Sequence, residues 1–253
     1  MLTDKHFELL IKSLDQPFSG WDFSYVTGTG RLDSEPLTWS YASMALPLIQ
    51  HADFMLDMGT GGGEFISKVR PFPKVVFATE AYKPNVPIAR KRLEPLGVKV
   101  FEVEEDESLP LETNYFDLVL NKHEAYSNQE VRRIMSTNAI FLTQQVGGHD
   151  CHEINQALGL PINEEFYDWN LERAKMELLE HGFDILQCRE EYPNQRFYDI
   201  GALVYYLKAI PWQVPDFNME KNITNLYKIH ELIQEKGYFD VKQHRFFIKA
   251  KAI

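Results

Sequence analysis

The stretch Phe54-Met55-Leu56-Asp57-Met58-Gly59-Thr60-Gly61-Gly62-Gly63-Glu64-Phe65 constrains this chain more than any other. An apolar run ends at an aspartate, four glycines fall within five residues, and an apolar pattern resumes at helical spacing. The order predicts a strand, a tight turn and the start of a helix. Glycine accepts positive φ and lets a ligand lie against the backbone. Free N–H groups at a helix start offer a surface for polar ligand groups.

The segments around this turn alternate. Strands are predicted over 53–58, 74–79, 98–103, 116–121, 139–146, 184–192 and 243–250. Helices are predicted over 63–70, 84–95, 124–135, 167–181, 197–209 and about 223–236. Strands and helices of this length imply right-handed βαβ units and an α/β fold whose parallel sheet is covered on both faces. Before the first strand lie helices over 3–14 and 36–49 and two aromatic clusters, Trp21 to Tyr25 and Trp39 to Tyr41. Residues 1–50 are therefore expected to form a helical lid segment and 51–253 the main domain, with a helical cap inserted at about 197–236.

Charge narrows the partners. The chain carries 26 basic and 37 acidic residues, a net −11. Such a field repels phosphate backbones and does not repel a cationic small molecule. Cys151 and Cys188 are far apart, the N-terminal residues are charged and amphipathic, and no apolar run approaches membrane-spanning length. These features predict a cytoplasmic protein with free thiols and no membrane partner.

In open α/β sheets, ligands bind beyond the C-terminal ends of the strands. The glycine turn follows the first strand. Glu80 follows the second and can accept both hydroxyls of a ribose. Glu105 and Asp106 follow the third, where a carboxylate can accept from an exocyclic amine. A dinucleotide fold is the obvious competitor, but its third fingerprint glycine is replaced here by Glu64, an awkward neighbour for a pyrophosphate. Asp57 likewise suits a cationic ligand.

With these residues in order, Leu56-Asp57-Met58-Gly59-Thr60-Gly61-Gly62-Gly63 resembles the first motif of class I S-adenosylmethionine-dependent methyltransferases. Glu80 matches that family's acidic residue after strand two. Leu109-Pro110-Leu111 and Phe116-Asp117-Leu118-Val119 are similar to the LPF and FDLV segments of its small-molecule-type (type 11-like) branch. Segments such as WDFSY, NKHEAY and FLTQQVGG resemble a bacterial subgroup of that branch. The resemblance implies a Rossmann-like sheet of seven strands in the order 3-2-1-4-5-7-6, the last strand antiparallel. It implies S-adenosyl-L-methionine as cofactor and S-adenosylhomocysteine as product. It assigns Asp57, Gly59, Thr60, Gly61 and Gly62 to the methionine part, Glu80 with Ala81 to the ribose, and Glu105 or Asp106 to the adenine amine. Asn121, ending the fourth strand, completes the cofactor set.

In that family the residues after strand four face the methyl group. Here they are Asn121-Lys122-His123-Glu124-Ala125-Tyr126. His123 is a candidate general base, because a free imidazole titrates near neutrality. Glu124 is a candidate partner that orients it, or simply begins a helix. Gln144 and Gln145 end the fifth strand, and strand alternation should send one to the cleft and the other to the opposite face. Trp21, Tyr25, Trp39 and Tyr41 are candidates for a lid whose ring faces attract a sulfonium. His149 and His152 are spaced to share a helix face, but no second cluster supports a metal, and Asp150 is a good helix cap. The expected function is methyl transfer to a small-molecule acceptor by in-line displacement. The alternatives are an RNA or protein acceptor, or a non-catalytic protein that keeps the cofactor.

Overall fold

A computed structural model describes residues 4–12, 18, 22–215 and 217–253. In chain order it contains α1 (Lys5–Lys12), α2 (Ser24–Thr27), β1 (Leu32–Ser34), α3 (Tyr41–His51), β2 (Phe54–Met58), β3 (Val75–Glu80), α4 (Val86–Leu93), β4 (Lys99–Glu102), β5 (Phe116–Lys122), α5 (Asn128–Ile134) and β6 (Met135–Val146). There follow α6 (His152–Leu158), α7 (Leu171–Glu180), β7 (Phe183–Glu191), β8 (Asn194–Phe197), α8 (Ile200–Ala209), α9 (Ile223–Lys236), β9 (Phe239–Lys242) and β10 (Arg245–Ala252).

Seven strands form one sheet in the order β4-β3-β2-β5-β6-β10-β7. Pairing is parallel from β4 to β6, and β10 runs antiparallel to both β6 and β7. Counted along the chain within this sheet, the order is 3-2-1-4-5-7-6. It is the order that the sequence resemblance implied.

Alternation along the central strands feeds two cores. Leu56, Met58, Val119 and Phe141 enter one with α5 and α7. Met55, Leu118, Leu120 and Leu142 enter the other with α3 and α4. Strands buried on both faces must be apolar throughout, so the polar Asp57, Asn121 and Thr143 inside β2, β5 and β6 stand out.

The glycine turn is not followed by an α-helix, as the sequence pattern had predicted for 63–70. A single 3₁₀ turn, Ile66–Lys68, stands there. Residues 64–69 are all that separate Gly63 from Arg70-Pro71-Phe72-Pro73. Proline lacks an N–H and pushes the preceding residue out of the α region, so the run is too short to propagate.

A second sheet, β1-β8-β9, is antiparallel and lies with a third core. There α8, α9 and α6 bury Leu203, Ile229 and Ile154 with Phe7 of α1 and Val26 of α2. Arg31, just before β1, makes a bidentate pair with Asp199, both bonds 2.7 Å. Asp199 also caps α8 by accepting from the Ala202 N–H at 2.9 Å. Thus the N-terminal residues and the 197–236 segment share one core. Among the described residues no helix is long and apolar enough to cross a membrane.

Candidate active site

The C-terminal ends of β2, β3, β5 and β6 lie side by side, and the polar residues predicted from sequence gather there. Asp57 pairs in register with Ala78 of β3 and Leu120 of β5, and Met58 with Asn121. The chain then turns through Gly59, Gly61 and Gly63, with φ of 63°, 61° and 80°. These are left-handed values that cost other residues about 1 kcal/mol or more each. The Thr60 N–H donates to the Thr79 carbonyl at 2.9 Å and folds the turn towards β3. Arg92 of α4 reaches back to the Gly62 carbonyl and to the Glu64 carboxylate. Glu64 is therefore an ion-paired strut of the turn. Its charge is compensated, so Glu64 alone does not argue against a phosphate ligand.

Four carboxylates surround this turn. Asp57 is buried, and burial pushes its pKa up to about 7, opposed by the Thr60 hydroxyl and by Lys122 and reinforced by Glu80. Glu80 is also buried. Burial raises its pKa, opposed by backbone N–H groups of Tyr82, Gly61 and Ala81. The Tyr82 bond is 2.8 Å. Asp106 is half-buried, and burial followed by Glu107 raises it, whereas Glu105 is exposed. Burial, then Asp106 and Glu80, push Glu124 up to about 7. Repulsion links Asp57 to Glu80, and Glu124 to both Asp106 and Glu80. Lys122 is a cation facing Asp57, and burial lowers its pKa while Asp57 opposes the fall. Such a cradle favours a ligand that brings positive charge.

Glu124 also shapes the turn. A Cβ on Gly59 would stand 2.4 Å from the Cβ, Cγ and Oε2 of Glu124. No donor among the described residues bonds the Glu124 carboxylate. A Cβ on Gly63 would meet Leu93 of α4 at 2.7 Å, so that glycine serves packing.

Asn121 is fully buried. Its Oδ1 accepts from Thr143 Oγ1 at 3.0 Å and from Gln145 Nε2 at 2.7 Å, while its Nδ2 has no partner. An orphaned amide N–H is costly and suits a ligand oxygen. Gln145 also donates to the Glu124 carbonyl at 3.0 Å. Gln144, on the other face of β6, accepts from the Trp39 indole at 2.8 Å and lies 2.9 Å from His123 Nε2. His123 adopts φ 63° immediately after β5, its N–H bonded to the Gln144 carbonyl at 2.7 Å. The residue is exposed to solvent, yet crowding by protein, then Arg245 and Lys122, push its pKa below the usual imidazole value.

The four aromatic candidates part company. Tyr41 is buried, and its hydroxyl is shared between the carbonyls of Asn121 (3.1 Å) and Leu142 (3.2 Å) beneath the site. Trp39 packs on Phe247 with ring centroids 5.0 Å apart, beside Gln144. Tyr25 packs on Tyr205 of α8 at 5.1 Å and under Arg31, in the third core. Trp21 lies outside the described residues.

His149 and His152 have ring centroids 5.5 Å apart, and no group of three potential metal ligands occurs among the described residues. Asp150 does not cap α6, where Cys151 with φ 53° takes that place. Its carboxylate instead accepts from the His244 N–H at 2.8 Å and pairs with Arg245. Both cysteines are free thiols.

Sequence reasoning did not single out Arg92, Lys122, Thr143 or Arg245. Thr143 and Lys122 were within reach, being polar residues at or near the inner ends of apolar strands. Arg92 and Arg245 reach the site from distant segments and left no local signal.

A seven-stranded sheet in this order, with a glycine turn after its first strand and an acid after its second, defines the class I methyltransferase fold. Residues 56–139 match the type 11 family model described as a methyltransferase domain. Among solved structures, YcgJ of Bacillus subtilis is 15% identical over 84% of this chain and 97% of its own, with TM-score 0.57. A methyltransferase of Thiobacillus denitrificans in complex with S-adenosyl-L-homocysteine is 14% identical over 91% and 98%, with TM-score 0.51. The [4+2]-cyclase SpnF is 15% identical over 83% and 79%, with TM-score 0.52. The comparison with curated proteins gives no match. Residues 56–139 thus carry a methyltransferase domain, set in the class I methyltransferase fold.

Proposed function

We propose that the chain transfers a methyl group to a small-molecule acceptor, in the cytoplasm, and that its acidic cradle holds the cofactor. The observation that carries this reading is the ring of Asp57, Glu80, Asp106 and Glu124 around the glycine turn, in a chain of net charge −11. That field disfavours the phosphate backbone of a nucleic-acid acceptor.

The residues present fit S-adenosylmethionine. Asp57 and the backbone of Gly59, Thr60, Gly61 and Gly62 would hold the methionine part, with Asn121 Nδ2 donating to a ligand oxygen. Glu80, with Ala81 beside it, would take the ribose hydroxyls. Of the two acids after β4, Asp106 is the better candidate for the adenine amine, because Glu105 is exposed to solvent. When bound, the cofactor supplies an electrophilic methyl on a sulfonium.

The chain's own contribution is orientation and proton handling. Holding donor and acceptor in line can supply about 7–11 kcal/mol of the barrier. Glu124 lies over the glycine turn with no bonded donor and titrates near neutrality, so it is placed to accept an acceptor's proton. The N-terminal residues up to β1 that share the third core with α8 and α9 would enclose the acceptor side.

The test is transfer of labelled methyl from S-adenosylmethionine to metabolite, RNA and protein fractions of a cell extract. Label in the metabolite fraction supports the reading. Label confined to RNA or protein overturns the acceptor class, and label in no fraction overturns methyl transfer.

A further inference from the structure

Three side chains link the N-terminal segment to the methyl side of the cleft. The Trp39 indole N–H has only one polar function, to donate. It donates to Gln144 Oε1 at 2.8 Å. That bond fixes which end of the amide faces which way. Gln144 Nε2 must then face His123 Nε2, 2.9 Å away, and it can only donate. An imidazole nitrogen that accepts carries no proton. In neutral histidine the proton therefore sits on Nδ1.

Several contacts hold the frame around this chain of bonds. The residue before Trp39 is anchored on β7, with the Thr38 N–H donating to Glu191 at 3.0 Å and Arg189 donating to Thr38 Oγ1 at 2.6 Å. Gln144 is buried and stands in register with Phe247, on which the Trp39 ring packs. His123 is set by its left-handed backbone and its bond to the Gln144 carbonyl. The cations of Lys122 and Arg245 oppose a further charge on the ring.

We propose that Trp39 is a positioning residue for His123: through Gln144 it holds the imidazole as the neutral Nδ1–H form, so that His123 donates a hydrogen bond to the methyl acceptor and does not take its proton. The role in methyl transfer rests on the function proposed above, and the tautomer does not. The consequence is a preference for acceptors that present a lone pair towards His123, such as an oxygen or an unprotonated nitrogen.

The experiment is long-range ¹H–¹⁵N NMR of protein labelled at histidine, with His123 assigned by the loss of its signals in His123→Asn. Wild type should show the proton on Nδ1 throughout about pH 6–8. Trp39→Phe removes the donor that orients the amide, the only one to Gln144 Oε1 among the described residues, and should give a mixture of tautomers. Gln144→Glu replaces the amide N–H by an acceptor, so the proton should move to Nε2 and the titration midpoint should rise. Wild type protonated at Nε2, or an unchanged Nδ1–H signature in both variants, overturns the proposal. S-adenosylhomocysteine titrated into the same samples separates the two claims. Binding should be equal in wild type and Trp39→Phe. Failure to bind wild type would sink the cofactor reading and leave the tautomer result standing.

Discussion

The carboxylate of Glu124 lies against Gly59, so close that a Cβ on the glycine would stand 2.4 Å from its Oε2. Gly59 also holds φ 63°. Gly59→Ala should therefore suffer twice, from about 1–2 kcal/mol of left-handed strain and from displacement of Glu124. Titration calorimetry should show S-adenosylhomocysteine affinity reduced about tenfold or more. Gly62→Ala is the internal control. Its φ is ordinary, and the nearest atoms to a new Cβ are the mobile ends of Glu64 and Arg92, so its loss should be smaller. Equal losses would remove Glu124 from the explanation.

Burial holds Asp57 and Glu124 at about 7, against ordinary values of 3.8 and 4.5. A carboxyl whose pKa is higher folded than unfolded favours the folded state while it is protonated. That contribution is complete below about pH 4 and is lost as pH rises to about 7. For Asp57 the loss has an upper bound of about 4 kcal/mol. Urea unfolding of the ligand-free protein across this window should show Asp57→Asn gaining stability relative to wild type as pH rises. A constant difference would contradict the assigned environment. A cationic cofactor favours the ionised carboxylates, so binding of S-adenosylmethionine near pH 7 should release protons. Calorimetry in buffers of different ionisation enthalpy reads that release.

The Arg31–Asp199 pair joins the N-terminal residues to α8, and both side chains are largely buried. Asp199 loses its partner but keeps its capping bond in Arg31→Ala. Removing one member of a buried pair costs about 3–5 kcal/mol, and the partial exposure here reduces that to about 2. Chemical denaturation should show this loss, with cofactor affinity nearly unchanged, because the pair lies in the third core. A large loss of affinity would mean that the third core shapes the cofactor cleft directly.

The main sheet was legible because its strands are apolar and long enough to carry a pattern, and because turns and acids mark their ends. The placing of Asp57, Glu80 and Asn121 at strand ends was legible for the same reason. The second sheet was not legible. Its strands are Leu-Asp-Ser, Asn-Gln-Arg-Phe and Phe-Asp-Val-Lys, too short and polar for periodicity to register. Helix α6 was missed because it follows a left-handed Cys151 without a side-chain cap. The helix expected after the glycine turn fails at Pro71, a local stop signal that the apolar pattern outweighed. Among the aromatics, Trp39, Tyr41 and Tyr25 looked alike in sequence. Only the fold separates an indole bound to Gln144, a hydroxyl tied beneath the sheet and a ring packed on α8.

The most direct test of the acidic cradle is calorimetric titration of S-adenosylhomocysteine and NAD into wild type, Asp57→Ala and Glu80→Ala. A hydrogen bond to a charged group contributes about 1.5–3 kcal/mol, so each variant should lose about tenfold to a hundredfold in S-adenosylhomocysteine affinity, and NAD should not bind. Unchanged affinity in both variants would contradict the account.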